Sequence, residues 1–224
     1  MSNKKFILII WLVSACVFHI TCANSLCQEN SKPADRIAYV DGSGVMRWKD
    51  TNDEIALFGV NYCLPSAYSY RAIGYVGADH KKTIDADVSH FARMGLDGVR
   101  LSFWGDWENS DRQGNLIDNE HLELLDYVIY KAKMRGIYML LTPIVLYSPV
   151  WPEPEELNKN QGFPKFYTKA EMGTNPDAVK AQQNYLSQVM NHVNRYTSVA
   201  YKDEPAILCI ELINEPYHHP DKDP

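Results

Sequence analysis

Asn214 and Glu215 stand side by side at the end of an apolar run, in the segment ELINEP at 211–216. A carboxyl group withdrawn from water has a raised pKa, because burial disfavours its charged form, and it can then act as a general acid. The amide of Asn214 offers both a donor and an acceptor to a substrate hydroxyl. The pair therefore predicts acid–base chemistry on a hydroxylated molecule. The alternative is a helix-capping asparagine and a glutamate in a solvated loop.

Further polar and aromatic side chains fall at the carboxyl ends of predicted strands. They are Asn61 and Tyr62 on the first strand, Arg100, Ser102 and Trp104 on the second, and Thr142 and Tyr147 at or after the third. The planar guanidinium of Arg100 can hold carboxylates in place. Because the active sites of barrels lie at the carboxyl ends of their parallel strands, we expect these residues to converge with Asn214 and Glu215.

The elements that must position these residues alternate along the chain. The patterns predict strands at 55–62, 97–104, 137–146 and 206–214, and helices at 83–95, 118–136 and 175–197. Strands that are apolar on both faces and alternate with helices indicate a parallel sheet covered by helices. The predicted fold class is α/β: a (β/α)8 TIM barrel of which only the first four strand–helix units are present, preceded by a short β-hairpin.

A doubly wound nucleotide-binding sheet is the alternative fold. No glycine-rich phosphate loop follows the first strand, where the sequence reads GVNYCLP, so this alternative is disfavoured. The formal net charge of −6 also argues against a nucleic-acid partner, which would require a basic face. The five cysteines are scattered singly and predict no disulfide framework.

The first residues have the pattern of an export signal. Lys4 and Lys5 precede the apolar run FILIIWLVSACVF, which is short for a membrane span. We predict a signal peptide at 1–23, with lipoprotein-type cleavage before Cys16 as a second reading and an uncleaved anchor as a third. Residues 24–36 are predicted to be a tether and 37–224 the amino-terminal part of the barrel domain. The expected location is periplasmic, attached to an outer membrane through a lipidated Cys16, or extracellular.

The segment AILCIELINEP resembles the fourth-strand motif of clan A glycoside hydrolases, especially the cellulase-like family 5. LFGVNY, MGLDGVRLSF and GIYMLLTP are similar, in that order, to the first three strands of the same family. The resemblance covers roughly 37–218. It implies a retaining hydrolase of the O-glycosidic bonds in a β-linked poly- or oligosaccharide, with no cofactor. It further implies that Glu215 is the acid/base, that Asn214 contacts the hydroxyl next to the reacting carbon, and that Arg100 has a structural or electrostatic role near the nucleophile.

The chain departs from the family pattern in two respects. Thr142 stands where many members have a histidine, and the nucleophile, a glutamate ending the seventh strand, has no counterpart in four strands. We therefore expect a longer enzyme, of which this is the part before the nucleophile strand. Glu211 is a poor substitute, because four extended residues would place it about 13 Å from Glu215, so a hydrogen-bonded place in the barrel wall is expected. Asp106, Glu108 and the carboxylates of 153–156 are expected to be solvated surface charges.

Several side chains are candidates for contact with sugar rings. The substrate-binding set is Asn61, Tyr62, Trp104, Trp107, Tyr147, Trp151 and His218. Indole and phenol rings offer flat apolar surfaces with a polar edge, although ordinary packing is an equal alternative. The segment YHHPDKD suggests a metal, but adjacent histidines point in different directions and no third ligand has motif spacing, so no metal ligand is predicted.

Two other functional classes remain open. One is a non-catalytic carbohydrate-binding protein or inactive half-barrel fragment, in which Glu215 would be dispensable. The other is an unrelated barrel enzyme that uses a metal or a phosphate.

Overall fold

A computed structural model describes residues 32–146 and 162–216. The predicted signal peptide, most of the tether, and the candidates Cys16, Tyr147, Trp151 and His218 lie outside the described residues, as do the carboxylates of 153–156. Within the two described ranges, no helix combines the length and the apolarity that crossing a membrane requires.

The predicted β-hairpin is confirmed. Strands β1 (Ala38–Val40) and β2 (Met46–Trp48) pair antiparallel. The side chain of Asp41 organises the turn between them, because its Oδ1 accepts hydrogen bonds from the backbone N–H groups of Ser43 and Val45 at 2.8 and 3.0 Å. Gly44 follows with a φ of +81°, a left-handed conformation that glycine adopts without steric cost.

The four predicted strands form one parallel sheet in chain order. They are β3 (Gly59–Tyr62), β4 (Gly98–Ser102), β5 (Tyr138–Thr142) and β6 (Ile207–Ile210). Each strand pairs with the next strand along the chain, which is the strand order of a (β/α)8 barrel. Every strand is shorter than its apolar run predicted, and β6 ends four residues before Asn214.

Five α-helices lie in the described ranges. They are α1 (Ala67–Tyr75), α2 (His80–Arg93), α3 (Gly105–Glu108), α4 (Glu120–Met134) and α5 (Pro176–Asn191). Three of them, α2, α4 and α5, match the predicted helices. Each begins after a residue whose side chain accepts a backbone N–H of the first turn: Asp79, Asn119 and Asn175, respectively. The caps Asn119 and Asn175 lie at or next to the predicted starts of α4 and α5, whereas α2 begins at His80, three residues before its predicted start at 83, because its cap is Asp79.

Helices α1 and α3 were not predicted, and both depend on contacts distant in sequence. Arg71 of α1 forms a buried ion pair with Glu108 of α3, with 2.6 Å between Nη1 and Oε1. The same carboxylate accepts the N–H of Ala67 at the start of α1, at 2.9 Å. The side chain of Ser66, the residue before α1, caps no N–H group. The carboxylate of Glu108 accepts an N–H group at the start of this helix instead.

The two faces of the sheet differ. On the helix-facing side, Val99 and Leu101 of β4 and Met139 and Leu141 of β5 are buried in the core that includes α2 and α4. On the opposite side, Arg100 and Ser102 of β4 are partly buried, whereas Thr142 of β5 is fully buried. The alternation follows from the two-residue period of a strand, and it places these polar side chains on the face away from the helices.

Replacing Leu101 by alanine tests the position of this core. Leu101 is fully buried, so Leu101→Ala is expected to lower the free energy of unfolding by about 2–5 kcal/mol. Leu212, which is 60% exposed, is the matched control, and Leu212→Ala is expected to change it by less than about 0.5 kcal/mol. Urea denaturation measures both losses, and equal losses would contradict the assignment.

Candidate active site

Arg100 is the centre of a polar cluster at the carboxyl ends of the strands. Its Nε and Nη2 both donate to Oε2 of Glu211, at 2.9 and 2.5 Å. Its Nη2 also donates to Oδ1 of Asn214 at 2.8 Å, and its Nη1 makes a long contact of 3.5 Å with Oδ1 of Asn61. The hydroxyl of Thr142 donates to the same Glu211 oxygen at 2.7 Å. We call these five residues the Arg100 cluster.

The strand ladder explains why these residues meet. Asn61 of β3 is the direct partner of Arg100 in β4, so both side chains leave the same face of the sheet. After β6 ends, the backbone continues to contact β5 and the residues that follow it. The N–H of Glu211 donates to the carbonyl of Leu141 at 2.8 Å, and the N–H of Asn214 donates to that of Ile144 at 2.9 Å.

The predicted distance of about 13 Å between Glu211 and Glu215 assumed an extended strand from Glu211 to Glu215. Strand β6 stops at Ile210, and the chain then bends, so Glu211 and Asn214 both reach Arg100. Glu211 is hydrogen-bonded, as predicted, but its side chain is 31% exposed and is part of the polar cluster.

Glu215 follows the cluster directly, in an unusual backbone conformation. Its φ is +44°, in the left-handed region that is unfavourable for residues with a Cβ. Such conformations persist where the surrounding structure enforces them, and they concentrate at functional sites. Glu215 is exposed, so the described residues do not supply the desolvation that the sequence predicted around its carboxyl group.

Tyr62 is not brought to the Arg100 cluster. It pairs with Leu101, so it faces the helices. Its hydroxyl donates to Asp87 of α2 at 2.9 Å, and its ring meets the edge of Phe91 at a centroid distance of 5.3 Å. Burial, together with the neighbouring Asp87 carboxylate, raises the pKa of Tyr62 far above its ordinary value.

Trp104 and Trp107 flank the start of α3. Trp104 precedes the helix with a φ of +52° and is half-buried. Trp107 lines a separate cavity of about 350 Å³ together with Leu146 and residues 164–169, and no member of the Arg100 cluster lines that cavity. The indole N–H of Trp107 is buried and has no partner among the described residues.

Asp106 and Glu108 were expected to be surface charges, and that expectation was wrong. Their exposures are 0% and 6%. Glu108 pairs with Arg71, as described above, and Oδ2 of Asp106 accepts the N–H groups of Val145 and Leu146 at 3.2 and 2.9 Å. Nothing in the segment GDWEN distinguishes these carboxylates from solvated ones, because their partners lie about 40 residues away.

The Asp106 carboxyl group supports the residues that follow β5. Leu146, whose N–H Asp106 accepts, itself has a φ of +61°. Burial raises the pKa of Asp106 to about 7, although the backbone hydrogen bonds from Leu146 and Val145 oppose the shift. Across 32–146 and 162–216, no group of three or more histidine, cysteine or acidic side chains is arranged to hold a metal ion.

Comparisons with known proteins find similar sequences among mannan endo-1,4-beta-mannosidases. No family model matches the chain. The chain is 35% identical over 101 residues to mannan endo-1,4-beta-mannosidase 3 of Arabidopsis thaliana, a match over 44% of this chain and 24% of that protein. It is 31% identical over 103 residues to mannan endo-1,4-beta-mannosidase 1 of Solanum lycopersicum, over 45% of this chain and 26% of that protein.

Solved structures with the same fold include a mannanase and a mannosidase. An endo-1,4-beta-mannanase from Rhizomucor miehei aligns with a TM-score of 0.58 at 20% identity, over 80% of this chain and 48% of that one. A glycoside hydrolase family 5 mannosidase from the same organism aligns with a TM-score of 0.57 at 16% identity, over 82% of this chain and 50% of that one.

The fold is therefore that of the first half of a (β/α)8 barrel, and the predicted fold class is confirmed. The resemblance to clan A glycoside hydrolases of the cellulase-like family 5 is confirmed as well, since the matched proteins are mannanases and include family 5 members. The chain spans about a quarter of the length of these curated relatives and about half of these solved chains.

The raised pKa of Asp106 predicts how stability depends on pH. Between its ordinary value of 3.8 and about 7, the folded protein holds a proton that the unfolded chain has released. The free energy of unfolding should therefore fall as pH rises from 5 to 7, by up to about 1.4 kcal/mol per pH unit relative to Asp106→Asn. Urea denaturation of both proteins across this range measures the difference. Parallel pH profiles would contradict the assignment.

Proposed function

We propose that this protein acts as a glycoside hydrolase on a β-linked mannan and cleaves its O-glycosidic bonds with retention. One observation carries the proposal: Arg100 of β4 binds Glu211 and Asn214, which follow β6 and lie just before Glu215 in the chain. A solvated loop with no function would not require a buried threonine, an arginine and two strand ends to converge on these side chains.

In the proposed reaction, Glu215 gives its proton to the oxygen of the leaving sugar as the glycosidic bond breaks. A second carboxylate attacks the sugar carbon and forms a covalent glycosyl intermediate. Glu215 then takes a proton from a water molecule, whose oxygen attacks the same carbon and releases the second carboxylate. Asn214 holds the hydroxyl next to the reacting carbon throughout.

The nucleophile is proposed to lie outside the described residues. A retaining pair of carboxyl groups is about 5–5.5 Å apart. Glu211 is unsuited to the role, because one of its oxygens already accepts three hydrogen bonds, two from Arg100 and one from Thr142. Donors that stabilise a carboxylate in this way lower its reactivity toward carbon.

The proposed substrate class is supported by the relatives, which are mannan endo-1,4-beta-mannosidases. The half-buried indole of Trp104, two residues after β4, is proposed to stack on a sugar ring. Export is proposed together with this substrate, because a polysaccharide is too large to enter a cell. Its support is the signal-like sequence of 1–23, and a lipid on Cys16 remains a finer proposal.

A non-catalytic carbohydrate-binding protein is the second candidate. The exposure of Glu215 favours it, because a general acid that works near neutral pH needs desolvation to raise its pKa. The two functions make different demands on the Glu215 carboxyl group. Hydrolysis requires it to give and take a proton, whereas binding does not.

Glu215→Gln separates the candidates. Release of reducing ends from β-1,4-mannan by a protein that includes the proposed nucleophile is expected to fall by about 10²–10⁴-fold, the usual contribution of a general acid–base group, while calorimetric affinity for mannooligosaccharides is retained. Glu54→Gln, at an exposed position next to the hairpin, is the matched control and should keep full turnover.

Three outcomes would contradict the hydrolase proposal. Oligosaccharide binding without turnover, in an unaltered protein that includes the proposed nucleophile, would favour the binding protein. Turnover that survives Glu215→Gln would remove the assigned acid/base, and turnover abolished by a chelator would point to metal chemistry.

A further inference from the structure

We propose that Glu211 and Thr142 are positioning residues that fix the Asn214 amide, with its NH2 group directed away from Arg100 and available to the substrate. The inference rests on the proposed function, because it concerns how that function's site selects a sugar hydroxyl. The inference adds two residues to the proposed site. In this arrangement, Glu211 and Thr142 act through Arg100 and do not contact the substrate.

The orientation of the Asn214 amide follows from the chemistry of its neighbour. A guanidinium group carries five N–H donors and no acceptor. The Asn214 atom 2.8 Å from Nη2 of Arg100 must therefore be the carbonyl oxygen, since an NH2 group there would place donor against donor. The NH2 group of Asn214 has no partner among the described residues. Asn214 is thus fixed as a donor toward the substrate.

The orientation of Arg100 depends in turn on Glu211. Two N–H groups, from Nε and Nη2, converge on one oxygen of Glu211 at 2.9 and 2.5 Å. The other Nη2 hydrogen is then directed at Asn214. Because the guanidinium is planar and rigid, rotating it to release Asn214 would also break both bonds to Glu211.

Thr142 fixes Glu211. The Thr142 side chain is fully buried, and its hydroxyl must donate, because an ionised carboxylate can only accept. Its 2.7 Å bond ends on the same oxygen that Arg100 binds. The backbone N–H of Glu211 is held by the carbonyl of Leu141, the residue before Thr142. The order of support is therefore Thr142, Glu211, Arg100, Asn214.

This arrangement selects substrates by hydrogen-bond polarity. The NH2 group of Asn214 needs an acceptor on the sugar, next to the reacting carbon. A hydroxyl oxygen supplies this acceptor, and a hydrogen atom at that position does not. A charged amino group would place a second donor against the NH2 group of Asn214. A site with fixed polar groups rejects a substrate that leaves them unpaired.

Thr142→Val and Thr142→Ser form a matched pair of variants that tests the inference. Valine keeps the shape of threonine but removes the donor, whereas serine keeps the donor and loses one methyl group. The substrates are an aryl β-mannobioside and its 2-deoxy counterpart at the reacting sugar, and both are measured with a protein that includes the proposed nucleophile. The preference for the hydroxylated substrate is expected to fall about tenfold in Thr142→Val, mainly through kcat, and to be retained in Thr142→Ser.

Two further variants test whether the effect passes through the proposed order. Glu211→Gln, which keeps shape but loses charge, should reduce the preference at least as much as Thr142→Val. In an Asn214→Ala background, Thr142→Val should add nothing, because the residue through which it acts is gone. Equal slowing of both substrates by Thr142→Val, or full additivity with Asn214→Ala, would overturn the inference and leave Thr142 a purely structural residue.

A readout that does not need turnover separates this inference from the proposed function. Hydrogen exchange at the Arg100 Nε–H, followed by NMR, should be about tenfold faster in Thr142→Val than in the unaltered chain and unchanged in Thr142→Ser. If the unaltered protein cleaves neither substrate but its Arg100 Nε–H still exchanges more slowly than that of Thr142→Val, the hydrolase proposal fails and the positioning order stands. If exchange is the same in all three proteins, the positioning order fails whatever the activity.

Discussion

The contact between Arg100 and Glu211 is the interaction on which the site depends. It joins the middle of β4 to the first residue after β6, across the intervening β5. Both side chains are about one third exposed, and ion pairs at such positions contribute roughly 0–1 kcal/mol. Its value therefore lies in geometry: without it, neither the guanidinium of Arg100 nor the amide of Asn214 has a defined orientation.

The segments that follow β3 and β5 also depend on two buried carboxyl groups. Asp106 holds the N–H groups that follow β5, and Glu108 holds the start of α1 together with Arg71. Removing one partner from a buried ion pair typically costs about 3–5 kcal/mol, because the other charge is left without compensation. Different carboxyl groups therefore contribute to stability and to positioning. The buried Asp106 and Glu108 hold the residues after β5 and the start of α1, and the partly exposed Glu211 orients the polar cluster.

The backbone at Glu215 suggests how the acid is presented. A left-handed residue with a Cβ costs roughly 1–3 kcal/mol, which the surroundings must supply. The bond from Asn214 to the carbonyl of Ile144 and the bond from Arg100 to Asn214 hold the preceding residue on both its backbone and its side chain. The conformation is therefore imposed by the same contacts that organise the cluster, so the proposed acid and the proposed hydroxyl donor are placed together.

The sequence by itself determined the strand order, the three capped helices and the convergence of Asn61, Arg100 and Asn214. These features follow from local signals: apolar runs, side-chain caps such as Asn119, and the rule that parallel strands end on one face. Only the tertiary structure decided where carboxylates without a local signal would lie. Asp106 and Glu108 look like surface charges until partners some 40 residues away bury them, and Glu211 joins the Arg100 cluster because β6 ends at Ile210 and the chain then bends. The physical reason is that a side chain's burial and partners depend on contacts between segments, whereas periodicity and capping act within one turn or one strand.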